Sequence, residues 1–310
     1  MTARTVESPG WPGAAPALSV LIPFLRDDPS DLLAMLDGEA TVLKGAVELV
    51  VLDDGTGDEA LTRRLVDRVS AMALPIRLIT LTRNEGRAIG RNRLATAARG
   101  SFLLFLDSDM RPDRPDFLSR WLAEAQETRP AVAFGGFSLK QASTAPRFAL
   151  HRAMAASGEC LDHLERAKAP EKYVYTSNLL VRRDVFDSEA FDPAFSGWGW
   201  EDVEWAMRVS RRHPVAHVGN PATHMGLDTA ADLARKYEQS APNFARVSTL
   251  HPDIVAAYPS HRVARLLKRV PGLGIWRPML KRAALAEPLP VRLRAFSLRL
   301  YRAALYAEVV

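Results

Sequence analysis

Short apolar runs and amphipathic stretches alternate along the first hundred residues of the chain. The apolar runs have the length and composition of buried strands and occupy residues 18–24, 47–52, 76–81 and 101–106. The stretches between them have helical periodicity and predict helices over residues 31–43, 59–72 and 89–99. Strands and helices that alternate in this way form βαβ units, so we expect an α/β domain with flanking helices around a mostly parallel central sheet.

Polar clusters follow three of these predicted strands at the point where each strand ends. They lie at residues 23–28, at Asp53-Asp54-Gly55 and at Asp107-Ser108-Asp109. In open parallel sheets, ligands bind beyond the carboxyl ends of the strands. The three clusters therefore predict one binding site along this edge of the sheet.

The acidic triplet Asp107-Ser108-Asp109 has two interpretations. Two carboxylates at this spacing, placed at the end of a buried strand, can hold one divalent metal ion that neutralises a diphosphate. The same pattern also marks turns, in which Asp side chains accept hydrogen bonds from the backbone. The triplet alone does not choose between the two.

Four ordered segments of the chain resemble those of the inverting glycosyltransferases of family 2. They are SVLIPF, VVLDDGT, RNEGRAIGRNRLATAARGSFLLFLDSD and GWGWEDVEWAMR, and the resemblance spans residues 18–226. It implies the Rossmann-like GT-A fold and the transfer of a sugar from a nucleotide diphosphate, with a UDP-sugar as the expected donor. Because four ordered segments are more specific than any one of them, the resemblance favours the metal interpretation of the triplet.

The resemblance also implies which residues bind the nucleotide sugar. In this interpretation the first strand end and the VVLDDGT segment line the nucleoside pocket, while the third segment lies near the diphosphate. The implied residues are Pro23, Asp53 or Asp54, Asn84, Gly86, Arg91, Asp107 and Ser108. The alternatives are ordinary ones, since Asp53 and Asp54 could end a strand in a turn and Arg91 could belong to a solvated helix face.

A divalent metal ion, Mn²⁺ or Mg²⁺, is the cofactor that the resemblance implies. Its expected ligands are Asp107, Asp109 and His224, with Asp109 the direct ligand of the triplet. A mixed set of carboxylate and imidazole ligands suits Mn²⁺ better than Ca²⁺. A lone histidine is also a common structural or surface residue, so His224 keeps both interpretations.

The segment GWGWEDVEWAMR carries the residues that the resemblance assigns to the acceptor side. An inverting transfer needs a base to deprotonate the acceptor hydroxyl, and that role falls to Asp202. Trp198, Trp200 and Glu201 would bind the acceptor sugar. At the start of a helix, Asp202 would have its ionised form stabilised. The same position suits an ordinary helix cap, and both tryptophans could belong to the core.

One departure from the family pattern lies at Ser177. The stretch Thr176-Ser177-Asn178-Leu179 resembles a short Gly-Asn segment that contacts the donor sugar or the acceptor. Ser177 replaces the usual glycine, which leaves the close backbone approach at that point open.

The chain divides into three regions. Residues 1–17 are polar and rich in Pro and Gly, and we expect a disordered lead-in rather than a targeting segment. Residues 18–250 form the GT-A domain, with a nucleotide-binding half over 18–130 and an acceptor-binding half over 131–250. Residues 251–310 form a basic helical tail.

The tail accounts for the net charge of +5, because residues 261–310 contain eleven Lys or Arg and two acidic residues. The helix predicted over residues 291–305 places Leu293, Phe296, Leu300 and Ala304 on one face with arginines around it. Such a helix either lies on an anionic membrane surface or packs on the domain with solvated arginines. No nucleic-acid-binding motif accompanies the charge, so we do not expect a nucleic-acid partner.

The bulk composition favours a cytoplasmic protein, and peripheral association with the inner face of the membrane is the alternative that the tail leaves open. The single cysteine, Cys160, excludes an intrachain disulfide and suits a reducing compartment. No uninterrupted run of about 18 apolar residues is present, which argues against a membrane span.

The leading hypothesis is therefore an inverting hexosyltransferase acting on a glycan or a lipid-linked glycan. A sugar-nucleotide nucleotidyltransferase is an alternative, although such enzymes carry a Gly-rich loop after the first strand and PFLRDDPSD contains no glycine. A non-catalytic carbohydrate-binding or membrane-surface module on the same fold is a second alternative.

Overall fold

A computed structural model describes residues 3–310 and contains two sheets of unequal size. The strands of both are β1 (Arg4–Glu7), β2 (Leu18–Phe24), β3 (Val47–Asp53), β4 (Ile76–Thr80), β5 (Phe102–Leu106), β6 (Met110–Pro112), β7 (Val132–Phe134), β8 (Phe137–Ser138), β9 (Asn178–Arg182), β10 (Val215–His217) and β11 (Ala222–His224). The large sheet has eight strands in the order β1-β4-β3-β2-β5-β9-β7-β10, and the small one has three in the order β6-β11-β8.

Helices cover both faces of the large sheet and continue to the end of the chain. They are α1 (Ser30–Asp37), α2 (Ala40–Leu43), α3 (Glu59–Ala71), α4 (Arg87–Ala97), α5 (Phe117–Glu127), α6 (Ala149–Ala156), α7 (His163–Arg166), α8 (Arg183–Ser188), α9 (Glu201–Val209), α10 (Ala230–Leu250), α11 (Pro252–Ala257), α12 (Pro259–Leu267), α13 (Leu273–Leu285) and α14 (Val291–Ala307). The helix predicted over residues 31–43 is divided in two around Gly38.

The predicted α/β architecture is confirmed, with β4, β3, β2 and β5 parallel to one another. Two strands that the periodicity did not predict modify the sheet. The antiparallel strand β9 lies between β5 and β7, and β1 pairs antiparallel with β4 at the edge. Each is only four or five residues long, too short for a clear period in the sequence.

The expected disordered lead-in is wrong for the described residues before Leu18. β1 completes the exposed edge of β4, with Arg4 opposite Thr80 and Glu7 opposite Arg77. Trp11 then packs in the core with the guanidinium groups of Arg77 and Arg99 4.5 and 3.9 Å from its ring centroid. An apolar ring with two cations on its faces orders this segment. Residues 1 and 2 lie outside the described part of the chain.

The carboxyl ends of three parallel strands meet at one edge of the sheet, as predicted. Phe24 of β2 lies opposite Asp53 of β3, and Leu21 of β2 lies opposite Phe105 of β5. The three polar clusters that follow these strands are therefore neighbours in space.

The small sheet carries the chain back to this edge. Met110 of β6 lies opposite His224 of β11, and β11 also pairs with β8. This register places the His224 side chain beside Asp109, although 115 residues separate them along the chain.

The C-terminal helices pack on the domain rather than forming a separate tail. Tyr306 of α14 stacks on Phe244 of α10, with ring centroids 4.0 Å apart, and its hydroxyl accepts a hydrogen bond from Trp200 Nε1 at 3.0 Å. The face predicted to be apolar is divided, since Leu293 and Phe296 are 46% and 58% exposed whereas Ala304 is buried. The contacts of α14 with α10, α12 and α13 bury a different stripe, which includes Leu298, Tyr301 and Leu305.

None of the helices in the described part of the chain is long and apolar enough to cross a membrane.

Candidate active site

A cavity of about 380 Å³ lies at the carboxyl edge of the large sheet. Nine of the predicted site residues line it: Pro23, Asp54, Asn84, Gly86, Arg91, Asp107, Ser108, Asp109 and Trp198. The convergence of these residues follows from the strand order, because each polar segment extends from a neighbouring strand or from the loop before α4.

Asp54, and not Asp53, faces this cavity. Its two carboxylate oxygens accept hydrogen bonds from the backbone N–H groups of Glu85 and Gly86 at 2.8 and 3.1 Å. Burial raises the pKa of Asp54 above its usual value, against the effect of these hydrogen bonds. Asp53 is 2% exposed and accepts a hydrogen bond from the N–H of Thr56 at 2.8 Å, so it closes the turn after β3. The strand-ending interpretation thus applies to Asp53.

A buried ion cluster joins the acidic triplet to the helix that begins at Glu201. Arg91 donates from Nη2 to Asp107 at 2.8 Å and from Nη1 to Glu201 at 3.4 Å. Arg91 is 1% exposed, so the solvated-helix interpretation is wrong. A buried guanidinium needs carboxylate partners, and here it has one from each side of the cavity.

Arg87 completes the cluster and is a residue that the sequence analysis missed. It donates from Nε to Glu201 at 2.6 Å and its Nη2 lies 3.8 Å from Asp107. Its side chain is 41% exposed and lines the cavity, unlike that of Arg91. The available signal was its position four residues before Arg91, on the same face of α4.

The cluster determines the charge of Asp107. Burial would raise the pKa of this carboxyl, but the positive charges of Arg91 and Arg87 lower it to about 2. Its second oxygen accepts a hydrogen bond from the hydroxyl of Ser177 at 2.7 Å. The serine that departs from the family pattern therefore fixes the orientation of Asp107, which a glycine could not do.

Asp109, which lines the cavity, forms a separate pair with His224, which does not. His224 Nε2 lies 3.1 Å from Asp109 Oδ2, and although burial opposes it, the hydrogen bond and charge of Asp109 raise the pKa of His224. Gly226 leaves room for the pair, because a Cβ there would collide with the Asp109 carboxylate.

The predicted three-residue metal set is only partly assembled. Both oxygens of Asp107 are engaged by Arg91 and Ser177, and the described residues contain no group of three acidic, His or Cys side chains that could hold a metal ion. Asp109 and His224 remain as one carboxylate and one imidazole in contact with each other. Two protein ligands are enough for a metal ion that takes its other ligands from phosphates and water.

Asp202 lies in the first turn of α9, where Oδ1 accepts a hydrogen bond from the N–H of Val203 at 2.8 Å. Burial, with the negative charge of Glu201 next to it, raises the pKa of Asp202 to about 7. The helix N-terminus was expected to favour the ionised form of Asp202. That prediction is wrong, because burial and the charge of Glu201 raise the pKa instead. The carboxyl is instead close to the protonation midpoint at neutral pH, a property suited to a general base.

Two of the residues predicted to bind the acceptor are held elsewhere. Glu201 is 3% exposed and paired with both arginines of the cluster, which lower its pKa although burial opposes them. Trp200 packs against Phe244, with ring centroids 4.9 Å apart. Both side chains therefore pack inside the protein and do not line the cavity. Trp198 lines the cavity, as one of the two tryptophans was expected to do.

Asp27 is a second cavity residue that the sequence analysis did not single out. It lies in the polar cluster after β2, where burial and then the nearby charge of Asp109 raise its pKa. The sequence marked this segment but contained no signal for which of its acids faces the cavity.

A family comparison agrees with this arrangement of strand ends and carboxylates. The family described as "Glycosyl transferase family 2" matches residues 19–188, more than half of the chain. The chain belongs to this family. Its fold is accordingly the GT-A fold.

Curated relatives of this chain match over part of their length. A putative teichuronic acid biosynthesis glycosyltransferase of Bacillus subtilis is 30% identical over 132 residues, covering 43% of this chain and 45% of the relative. A glucosyl-3-phosphoglycerate synthase of Mycolicibacterium paratuberculosis is 31% identical over 134 residues, covering 38% of each. The matched segment thus spans less than half of these relatives.

Solved structures share the fold over most of the chain. The mannosyltransferase PcManGT of Pyrobaculum calidifontis, in complex with GDP-Man and Mn²⁺, has a TM-score of 0.55 at 16% identity and covers 96% of this chain and 88% of its own. TarS 1–349 of S. aureus, in complex with UDP, has a TM-score of 0.51 at 16% identity and covers 94% and 89%. At these identities the similarity establishes the fold.

The ion cluster predicts unequal costs for two arginines of α4. Replacing Arg91 by Gln removes the buried cation that pairs with Asp107 and Glu201. We therefore expect the free energy of unfolding to fall by about 3–5 kcal/mol. Arg93→Gln is the matched control, since its side chain is 35% exposed and its pair with Glu85 should contribute about 1 kcal/mol or less. Urea denaturation of the two variants measures the difference, and equal losses would contradict a structural role for the cluster.

Proposed function

We propose that this glycosyltransferase transfers a hexose, with inversion, from a nucleotide diphosphate to a hydroxyl of a glycan or lipid-linked glycan, with Asp202 as the base. The observation that carries the proposal is that Asp202 directly follows Glu201, which pairs with Arg87 on the wall of the cavity that Asp107 and Asp109 also line. The Asp202 side chain itself is not among the described residues that line the cavity. Arg87 and Arg91 hold Asp107 and Glu201 in one arrangement. Asp107 lies two residues before Asp109 in the chain, and Glu201 directly precedes Asp202.

The donor side has complementary groups for a nucleoside diphosphate. Asp54, Asn84 and Gly86 offer acceptors and donors for the base and the ribose, next to Pro23. Arg87 is the cation with an exposed guanidinium in the cavity, so it takes the role near the diphosphate that was first given to Arg91. PcManGT and TarS bind GDP-Man and UDP, respectively, which supports a nucleotide-sugar donor here. A UDP-sugar remains the donor we propose.

A divalent cation, Mn²⁺ or Mg²⁺, would be held by Asp109 and His224 and would neutralise charge on the diphosphate leaving group. The carboxylate of Asp109 is available for this role because Arg91 pairs with Asp107, whereas Asp109 contacts His224. Ser108 lies between the two acids, on the wall of the same cavity.

On the acceptor side, Asp202 would remove the proton of the attacking hydroxyl as the bond to the anomeric carbon forms. Trp198 lines the cavity four residues before Asp202, so a sugar ring stacked on its indole would lie near the start of α9. Burial, and then the negative charge of Glu201, raise the pKa of Asp202 and so make it a stronger base than an isolated aspartate.

The alternatives carried from the sequence receive less support. A nucleotidyltransferase would need a Gly-rich phosphate loop after β2, and residues 25–29 contain none. A non-catalytic module would have no reason to keep a buried carboxyl with a pKa near neutrality beside an intact metal-ligand pair.

We expect a nucleoside diphosphate to stabilise the protein only when Asp109 is present. UDP or GDP with Mn²⁺, at about one hundred times its dissociation constant, should add about 2.7 kcal/mol to the free energy of unfolding and raise the melting temperature. In Asp109→Ala that shift should vanish, because the cation loses its carboxylate ligand. Asp116→Ala, which removes an exposed carboxylate, is the control and should keep the shift. A full shift in Asp109→Ala would contradict the metal assignment.

Transfer should depend on Asp202 in its ionised form. Because a base must be deprotonated to act, kcat/KM should fall about tenfold per pH unit below pH 7 and level off above it. Asp202→Asn should keep the melting-temperature shift with UDP or GDP and lose about 10²–10⁴ in turnover. Asp184→Asn, at an exposed surface pair, is the control. Undiminished turnover in Asp202→Asn would contradict the assignment.

An anionic membrane surface remains part of the proposal for residues 261–310. The helices there pack on the domain, yet they leave large apolar side chains exposed among arginines: Leu266, Ile275, Met279 and Phe296 are 63%, 78%, 60% and 58% exposed. Apolar side chains ringed by arginines suit the boundary between anionic headgroups and acyl chains.

Co-sedimentation with phosphatidylglycerol vesicles tests this surface. The double substitution Ile275→Ser and Phe296→Ser should weaken binding about tenfold or more, since each side chain would contribute about 1.5–3 kcal/mol when buried in lipid. Val42→Ser is the control, because Val42 is 72% exposed on a different part of the domain. Equal binding by the double variant and the control would refute a membrane role for these side chains.

A further inference from the structure

A second cavity, of about 530 Å³, lies near the C-terminal end of α10. Residues of α10, of α12 and of the segment after α14 form its wall, and we call it the basic cleft. Its polar lining side chains are Ser248, Thr249, His261, Arg265, Lys268 and Arg269. Among the described residues, none lines both this cleft and the active-site cavity. The basic cleft is therefore a separate site.

The positive charge of the basic cleft comes from one face of α12 and the turn that follows it. His261, Arg265 and Arg269 succeed one another at the i, i+4 spacing of side chains on one side of a helix. Lys268 adds a further cation, and no acidic side chain of the described residues lines the cleft. A cleft lined by one sign of charge concentrates ions of the opposite sign, so its expected ligand is an anion.

The two arginines of the basic cleft have no partner within residues 3–310. Neither side chain makes a hydrogen bond or an ion pair there. Other cations of the C-terminal helices are engaged: Arg277 pairs with Glu308, and Lys268, in the cleft itself, donates to the backbone oxygen of Val310. The guanidinium donors of Arg265 and Arg269 are therefore available for a ligand.

The part of the wall that α10 contributes offers hydrogen-bond acceptors. The hydroxyls of Ser248 and Thr249 donate to the backbone carbonyls of Phe244 and Ala245, one turn earlier, at 2.8 and 3.0 Å. Because its proton is engaged in this way, each hydroxyl oxygen keeps lone pairs that can accept from a ligand O–H group. The cleft thus combines donors for an oxyanion on α12 with acceptors for hydroxyls on α10.

The basic cleft has room for more than an oxyanion. Its volume of about 530 Å³ is many times the roughly 30 Å³ that one water molecule takes up in the liquid. Val309, which is 39% exposed, adds an apolar patch to the wall, and the 63% exposed Leu266 directly follows Arg265 in α12. A small molecule with an anionic end and several hydroxyls suits this space better than a bare ion.

We propose that the basic cleft binds a phosphate ester of a polyol, with the phosphate on Arg265 and Arg269 and the hydroxyls on Ser248 and Thr249. Two guanidinium groups can share the oxygens of one phosphate, each through paired donors. The inference goes beyond the proposed function, which assigns no ligand to this cleft. A glycerol-bearing phospholipid headgroup and a soluble polyol phosphate share this chemistry, and the arms of the experiment distinguish them.

Calorimetry on the full chain, in EDTA, tests the cleft with glycerol 3-phosphate, inorganic phosphate and glycerol. We expect both phosphates to bind and glycerol not to bind. The double substitution Arg265→Gln and Arg269→Gln should weaken both phosphates about tenfold or more, because it removes hydrogen bonds to a charged group. The matched control, Arg282→Gln with Arg292→Gln, removes the same charge from exposed positions outside the cleft and should keep both affinities. Comparing the two variants also cancels any phosphate bound in the active-site cavity.

Further variants separate ligand binding from a structural role of the arginines. Arg265→Lys with Arg269→Lys keeps the charge and should retain most of the binding, while Ser248→Ala should weaken glycerol 3-phosphate and leave inorganic phosphate unaffected. If the arginines only stabilised the C-terminal end of α12, their replacement by Gln would lower the melting temperature and leave the affinities unchanged, which would overturn the proposal. Absence of phosphate binding by the wild-type chain, or equal losses in the two Gln double variants, would overturn it as well.

Co-sedimentation with phosphatidylglycerol vesicles identifies the source of the ester. If the ester is a lipid headgroup, the Arg265 and Arg269 double variant should bind vesicles about tenfold less than the control, and glycerol 3-phosphate should compete. If it is soluble, the two variants should bind vesicles equally while their affinities for glycerol 3-phosphate still differ. Neither result depends on sugar transfer. A chain that released no nucleotide from any nucleotide sugar would lose its proposed function and keep this site.

Discussion

The ion cluster of Arg87, Arg91, Asp107 and Glu201 is the constraint on which the rest of the site depends. It joins the end of a central strand to the first turn of α9, two elements almost one hundred residues apart in the chain. Buried charges of this kind are costly unless every partner is present, so the cluster enforces one geometry rather than adding net stability. Arg87, Arg91 and Asp107 of this cluster also line the cavity, so the same geometry shapes its wall.

The cluster also separates the chemical roles of four neighbouring acids. Asp107 is held ionised by two arginines, with its pKa near 2, while burial and the charge of Glu201 raise the pKa of Asp202 to about 7. Asp109, next to the cluster, keeps its carboxylate for His224. Environments that shift the pKa values of nearby carboxyls in opposite directions are the usual way in which one site assigns different tasks to identical side chains.

The sequence predicted the parts of the molecule that depend on local pattern. The parallel strands, the helices between them and the meeting of polar strand ends all follow from period and order, and they were confirmed. Asp54 and Trp198 were placed in the cavity only by the structure, because each had a neighbour of the same type. The sequence did not single out Arg87 for a similar reason. Whether Arg87 or Arg91 is buried depends on how α4 packs against α9, and no local pattern encodes that packing.

The ends of the chain were the least predictable regions. β1 exists because the edge of β4 needs a partner, and Trp11 is buried by two arginines that come from other elements. The sequence left open whether the apolar stripe of α14 lies on a membrane or packs on the domain, since helical period identifies apolar stripes but not the stripe that a neighbour will cover. This packing brings Tyr306 to Trp200, so the C-terminal helices support the segment that precedes α9.

The central claim is that one carboxylate, Asp202, deprotonates a nucleophile that displaces the nucleotide in a single step. The most direct test is the anomeric configuration of the first sugar released or transferred, followed by proton NMR before mutarotation, using whichever nucleotide sugar the protein cleaves. A single displacement predicts a configuration opposite to that of the donor. Retention of the donor configuration would contradict the account, because it requires a second nucleophile that the proposed mechanism does not include.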